Sequence, residues 1–188
     1  GHTMFLTLGV KAGTISQGQM WAILPQTWVG NLLGSVFVAL LYSWGGGGLL
    51  PVDTSLVHTV ALAKTSQSAM ALFFKGALCN WLVCLAIWMA IRTEGAAKFI
   101  AIWWCLLAFI ASGYEHSVAN MTLFALSWFG HHSDAYTLAG IGHNLLWVTL
   151  GNTLSGVVFM GLGYWYATPQ SERPAPEKIK QSEAAANN

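Results

Sequence analysis

The chain has 188 residues, of which 55% are hydrophobic, 13% aromatic and only 8% charged, against roughly a quarter charged in an ordinary soluble domain. Such a composition cannot cover a surface that faces water. Eight basic and seven acidic residues give a formal net charge of +1, so no basic excess is available to follow a phosphate backbone, and nucleic-acid binding is excluded.

No charged residue lies between Lys11 and Asp53, nor between Asp134 and Glu172. Both gaps exceed the roughly 20 residues that carry a helix across a bilayer, so the chain reads as an all-α, multi-pass membrane protein embedded in lipid. Residues 3–10 are apolar but too short to span. They follow no signal-peptide pattern, and the opening Gly-His-Thr-Met reads as the second half of an interrupted span, which makes the chain N-terminally truncated. A first full span is expected over 19–44, with Pro25 early in the helix, where a missing N–H is best tolerated. Trp21, Trp28 and Trp44 bracket it as an interfacial belt. The glycine run 45–48 and Pro51 end it.

Residues 54–67 are only moderately apolar and read as a short surface helix between two spans. A second span is expected over 68–91, a third, interrupted one over 97–128, and a last one over 143–166. Residues 168–188 form a polar, alanine-rich tail, read as disordered. Lys11, Arg92, Lys98, Arg173, Lys178 and Lys180 fall on one side of this layout and Lys64 on the other. The positive-inside rule makes the first side, with the C-terminus, cytoplasmic. Cys79, Cys84 and Cys105 sit in apolar runs as buried fillers; an odd count with no Cys-x-x-Cys pair argues against a disulfide framework or a zinc site.

The third span carries the chemistry. Its centre reads Ser112-Gly113-Tyr114-Glu115-His116-Ser117-Val118-Ala119-Asn120. Facing lipid, each ionisable group there would cost at least about 2.5–3.5 kcal/mol. The economical solution is a helix broken at Gly113 and Ser117, its irregular backbone buried or lining a cavity. The second half-helix would then aim unpaired N–H groups at the cavity, which suits an anion. His116 adds an imidazole that donates, carries charge or gives up a proton near neutral pH, while Glu115 reads as the acceptor tying the break together. Lys75 is a second intramembrane charge, either snorkelling to an interface or standing beside the path. An internal repeat points to duplicated halves: Trp28-Val29-Gly30-Asn31-Leu32-Leu33-Gly34-Ser35-Val36 matches Thr149-Leu150-Gly151-Asn152-Thr153-Leu154-Ser155-Gly156-Val157 in its Gly-Asn and a following small pair.

At Gly76-Ala77-Leu78-Cys79-Asn80-Trp81-Leu82-Val83-Cys84-Leu85-Ala86 and at Glu115-His116-Ser117-Val118-Ala119-Asn120-Met121, the chain resembles the formate/nitrite transporter family, most of all its bacterial nitrite channels. The resemblance implies an aquaporin-like helical bundle with broken helices and inverted repeats, lacking here the first helix and half of the second. It makes residues 1–167 a partial channel domain. It implies a homopentamer in the bacterial inner membrane, passing nitrite, formate or a similar small monovalent anion, in some descriptions with a proton, and using no cofactor. By position, His116 is the central pore histidine, Phe109 lies at the periplasmic constriction, Asn120 and Asn152 supply amides along the path, and Lys75 raises its potential. Two other readings stay open beside this one. A neutral-solute channel of aquaporin type lacks any Asn-Pro-Ala box here. A histidine-ligated redox subunit would rest on His131, His132 and His143, of which the first two sit in a polar loop.

Overall fold

The computed structural model describes residues 1–48, 50–51 and 55–173, and among these every regular element is helical. In chain order they are α1 (His2–Ala12), α2 (Gln17–Trp44), α3 (Leu56–Thr65), α4 (Ala69–Ala90), α5 (Ala96–Ala111), α6 (Ser117–Trp128) and α7 (Leu138–Leu154). The last helix runs on through a π-helical stretch, Ser155–Leu162, into α8 (Gly163–Ala167), and a single 3-10 turn follows over Gln170–Glu172. Residues 174–188, most of the expected tail, lie outside the described residues together with Thr54, the expected start of the surface helix.

Among the described residues three helices are long and apolar enough to cross a membrane: Gln17–Trp44, Ala69–Ala90 and Leu138–Ala167. The fourth crossing is divided. At 1.5 Å per residue, α5 and α6 span roughly 24 and 18 Å, neither enough alone for a hydrocarbon core of about 30 Å.

The distribution of polarity is inverted relative to a water-soluble protein. Leu33, Phe37, Phe99, Trp103, Trp104 and Ile110 are exposed on α2 and α5, whereas Asn80, Glu115, Ser117, Asn120, Asn144 and Asn152 are buried. A large exposed apolar surface around a polar interior is what lipid demands, since no water there can satisfy inward-facing polar groups.

Local chemistry fixes the ends. Ser16 and Gln19 form a reciprocal capping box at the start of α2, and Ser68 caps α4. The last span begins at Leu138, earlier than expected from sequence, because Thr137 Oγ1 accepts the Gly140 N–H at 3.1 Å and opens the helix ahead of two glycines. The surface helix α3 is shorter than expected, and its buried residues His58, Ala61 and Thr65 form one stripe against the bundle.

Small residues set the interhelical spacing. A Cβ on Gly151 would collide with the Phe73 carbonyl, and one on Gly156 with Thr3 Oγ1, so α4 and α1 can approach the last span only where it carries no side chain. The repeated segments touch each other where Trp28 Nε1 donates to Thr149 Oγ1 at 3.0 Å. They differ in surroundings, since Gly30, which matches Gly151, meets nothing within 4 Å. α6 packs on α2, and α1 on the π-helical stretch of the last span.

Candidate functional site

The break between α5 and α6 is built from identifiable parts. α5 stops in a Schellman motif: Gly113 N–H donates to Ile110 O at 3.0 Å and Tyr114 N–H to Phe109 O at 3.1 Å. Gly113 has φ 65, a left-handed conformation that favours glycine. α6 then starts with His116 as its N-cap; the imidazole Nδ1 accepts the Ala119 N–H at 3.3 Å. The first N–H of α6, from Ser117, donates to Asn152 Oδ1 at 3.0 Å, as does the Ser117 hydroxyl.

Two of the N–H groups that sequence reasoning aimed at the cavity are therefore held by side chains. Between them, Val118 N–H has no acceptor among the described residues, and Val118 lines the cavity. The sequence reading missed the capping role of His116, because histidine is not among the side chains expected at an N-cap. Since Nδ1 accepts, the proton of the neutral ring sits on Nε2, which is the ring's free donor.

The cavity beside this break has a volume of about 620 Å³. Thr3 of α1, Trp28 and Asn31 of α2, Asn80 of α4, His116, Ser117 and Val118 at the break, and Thr149 and Asn152 of α7 all border it. Asn152 joins four pieces of backbone and side chain. Besides accepting from Ser117, its Nδ2 donates to Gly76 O at 2.8 Å and to Glu115 O at 3.0 Å. Asn80 Nδ2 donates to Asn152 O at 2.6 Å and to Thr3 Oγ1 at 3.4 Å, which links the start of α1 to the same group.

Glu115 is 1% exposed. Its Oε1 pairs with Lys64 Nζ at 2.9 Å and accepts from Gln67 Nε2 at 3.1 Å, and its Oε2 accepts from Asn120 Nδ2 at 2.6 Å. Asn120 also donates to Asn144 Oδ1 at 2.9 Å and does not border the cavity, so its amide is spent inside this network. Lys75 Nζ donates to Gln67 Oε1 at 2.6 Å and reaches the carboxylate only through that amide. Lys64 was legible in the sequence only as a charge on the far side of the bilayer; its pairing with a residue at the break carries no local signal.

Phe109 lies beside the imidazole, with ring centroids 6.2 Å apart and an interplanar angle of 32°. The histidines of the redox reading are engaged separately. His132 stacks on Trp128 at 5.1 Å, His143 Nε2 bonds Gln67 O at 3.1 Å, and His131 N–H donates to Leu50 O at 2.9 Å. Cys79, Cys84 and Cys105 are buried free thiols.

Comparison with known proteins follows the same lines. The family model described as "Formate/nitrite transporter" matches residues 1–166. The chain is 91% identical to the nitrite transporter NirC of Salmonella typhimurium, covering 100% of this chain and 70% of that one. Against the nitrite transporter NirC of Escherichia coli it is 85% identical, covering 99% and 69%. A solved FNT family ion channel superposes with a TM-score of 0.88 at 92% identity, over 89% of this chain and 68% of the other. A pentameric formate channel with formate bound superposes at 0.67 and 26% identity, over 79% and 65%. With its divided fourth crossing, its buried amides and matches of this extent, the chain belongs to the formate/nitrite transporter family.

Proposed function

We propose that this chain forms a pathway for a small monovalent anion, nitrite foremost, through a bacterial inner membrane, with its C-terminal end in the cytoplasm. The observation that carries the reading is His116: an N-cap at a mid-bundle helix start that borders the cavity with Nε2–H as its free donor. The similarity to nitrite transporters at 91% and 85% identity supports nitrite. The likeness to a pentameric formate channel supports a homopentamer and makes formate the alternative solute. The clustering of Lys11, Arg92 and Arg173 near the ends of α1, α4 and α8 supports the orientation.

The chemistry follows from desolvation. An anion entering a narrow apolar passage loses hydration, at a cost that only pairing, hydrogen bonding or neutralisation removes. Near the break, Nε2–H of His116 and the N–H of Val118 are donors available to it. Thr3, Asn31 and Thr149 add polar side chains along the wall. Behind the wall, among the described residues, Lys64 pairs with the one carboxylate and Lys75 reaches it only through Gln67, so the fixed charge there is net positive and draws an anion inward. The neutral ring serves the dehydrated anion as a hydrogen-bond donor; giving up its one N–H proton would leave an imidazolate, so crossing as the neutral acid requires a proton taken up from solution at Nδ1, which releases the Ala119 N–H cap. Phe109, beside the imidazole, narrows the approach to it. Asn120 and Lys75 act from behind, Asn120 by holding Glu115 and Lys75 by its charge.

The test is nitrite and formate flux into liposomes carrying the purified protein, measured from pH 5 to 8 for the unaltered protein and His116→Ala. Flux that exceeds protein-free vesicles, with a pH dependence that His116→Ala alters, is the expected result. Identical pH profiles for the two would refute the role of His116, and no flux of either anion would refute the transport reading.

A further inference from the structure

Lys64 belongs to a helix too short to cross a membrane and does not border the cavity, yet among the described residues it makes the one salt bridge. Its side chain is 18% exposed and its partner Glu115 1%. The groups around that carboxylate are Lys64 from α3, Gln67 from the α3–α4 linker, Lys75 and Cys79 from α4, Asn120 from α6, and Asn144 with His143 from α7. Among the described residues no second acid is present there, so two ammonium groups share one carboxylate. The sharing is unequal, because Lys64 touches Glu115 directly while Lys75 is held off by the Gln67 amide. The α3 backbone is tied in as well, where Asn144 Nδ2 donates to Lys64 O at 2.9 Å.

We infer that Lys64 is a positioning residue for the transport site, the counter-ion that holds Glu115 against Asn120 and thereby aims the helix break and leaves the charge of Lys75 uncancelled behind the cavity wall. A fully buried carboxylate requires a partner. If Lys64 did not supply it, Lys75 would be drawn to Glu115, the net positive charge behind His116 would vanish, and the bond from Asn120 would be pulled out of place. The surface helix is on this view a working part of the site and not a mere connector. The inference rests on the transport reading above.

The experiment compares nitrite flux in proteoliposomes for the unaltered protein, Lys64→Arg, Lys64→Met and the double variant Lys64→Met with Glu115→Gln. Lys64→Arg keeps the charge and should hold flux within about threefold, while Lys64→Met should lose ~10-fold or more, because it leaves a buried carboxylate without its counter-ion. The double variant removes the unpaired carboxylate together with its partner and restores the net charge of one lysine, so it should recover to within about threefold of the unaltered protein. A role of α3 in packing alone would give no such recovery.

Normal flux in Lys64→Met, or failure of Glu115→Gln to rescue it, would overturn the inference while leaving the transport reading intact. Absence of nitrite flux in the unaltered protein would overturn both. Should Lys64→Met fail to accumulate, the double variant decides alone: flux within about threefold supports the counter-ion role, and none overturns it.

Discussion

Removing the Asn152 amide should unfasten the whole site at once. In Asn152→Ala the hydrogen bonds to Ser117 N, Ser117 Oγ, Gly76 O and Glu115 O, at 3.0, 3.0, 2.8 and 3.0 Å, disappear together. Asn152 is 8% exposed and Ser117 7%; both border the cavity, so water entering from it is the one replacement partner. Gly76 O keeps its bond within α4, and the Ser117 hydroxyl can rotate. The Ser117 N–H and the Glu115 carbonyl have no such recourse. At about 1–3 kcal/mol for each orphaned buried group, the loss comes to roughly 2–6 kcal/mol, an upper range that such water would reduce. Equilibrium unfolding of the detergent-solubilised protein reads it directly. Asn152→Asp is a sharper companion: it keeps the acceptor for Ser117 but turns a carboxylate oxygen toward two carbonyls, so it should be no more stable than Asn152→Ala. A loss below about 1 kcal/mol for Asn152→Ala would mean that these bonds are not what holds the break, and would refute the reasoning.

Glycine substitutions on the last span should divide by environment. Gly151→Ala places a methyl group against the Phe73 carbonyl and 2.9 Å from Ala77 N and should cost about 1–3 kcal/mol by forcing α4 away. Gly142→Ala meets nothing within 4 Å and should be neutral or gain up to about 1 kcal/mol of helix propensity; equal unfolding curves for the two would contradict the packing described. In the loop before α7, Tyr136 is 3% exposed and its hydroxyl donates to Phe124 O at 3.0 Å. Burial pushes this phenol up from its ordinary value, against the pull of the Ser127 hydroxyl. Above about pH 10 the unfolded chain therefore loses a proton that the folded chain retains, and stability should fall as pH rises. Tyr136→Phe should remove that alkaline slope while costing about 1 kcal/mol at neutral pH.

The spans were legible because two long stretches without a charged residue leave few other readings, and the break because Gly113, Glu115 and His116 cannot share an unbroken lipid-facing helix. What the chain could not reveal in one dimension is who meets whom. Lys64 and Glu115 are separated by two spans' worth of sequence, and nothing local to either marks the pair. Asn120 looked like a lining residue by its place on the second half-helix, yet its neighbours Glu115 and Asn144 consume the amide. The π-helical stretch escaped for a similar reason. It occurs where Gly156 and Gly161 lie against Thr3 and Thr7 of α1, a close approach settled by tertiary packing and not by propensity.

The way α6 begins has a kinetic consequence. Its opening turn is clasped by the chain's own imidazole and amide, so the interruption keeps its shape whether or not a solute is present. A passing ion meets a bracket that is already set and does not have to organise it, which removes reorganisation energy from every crossing. Throughput should then be governed by how readily the ion sheds its water, and the ranking of permeant species should follow their hydration energies more than their shapes.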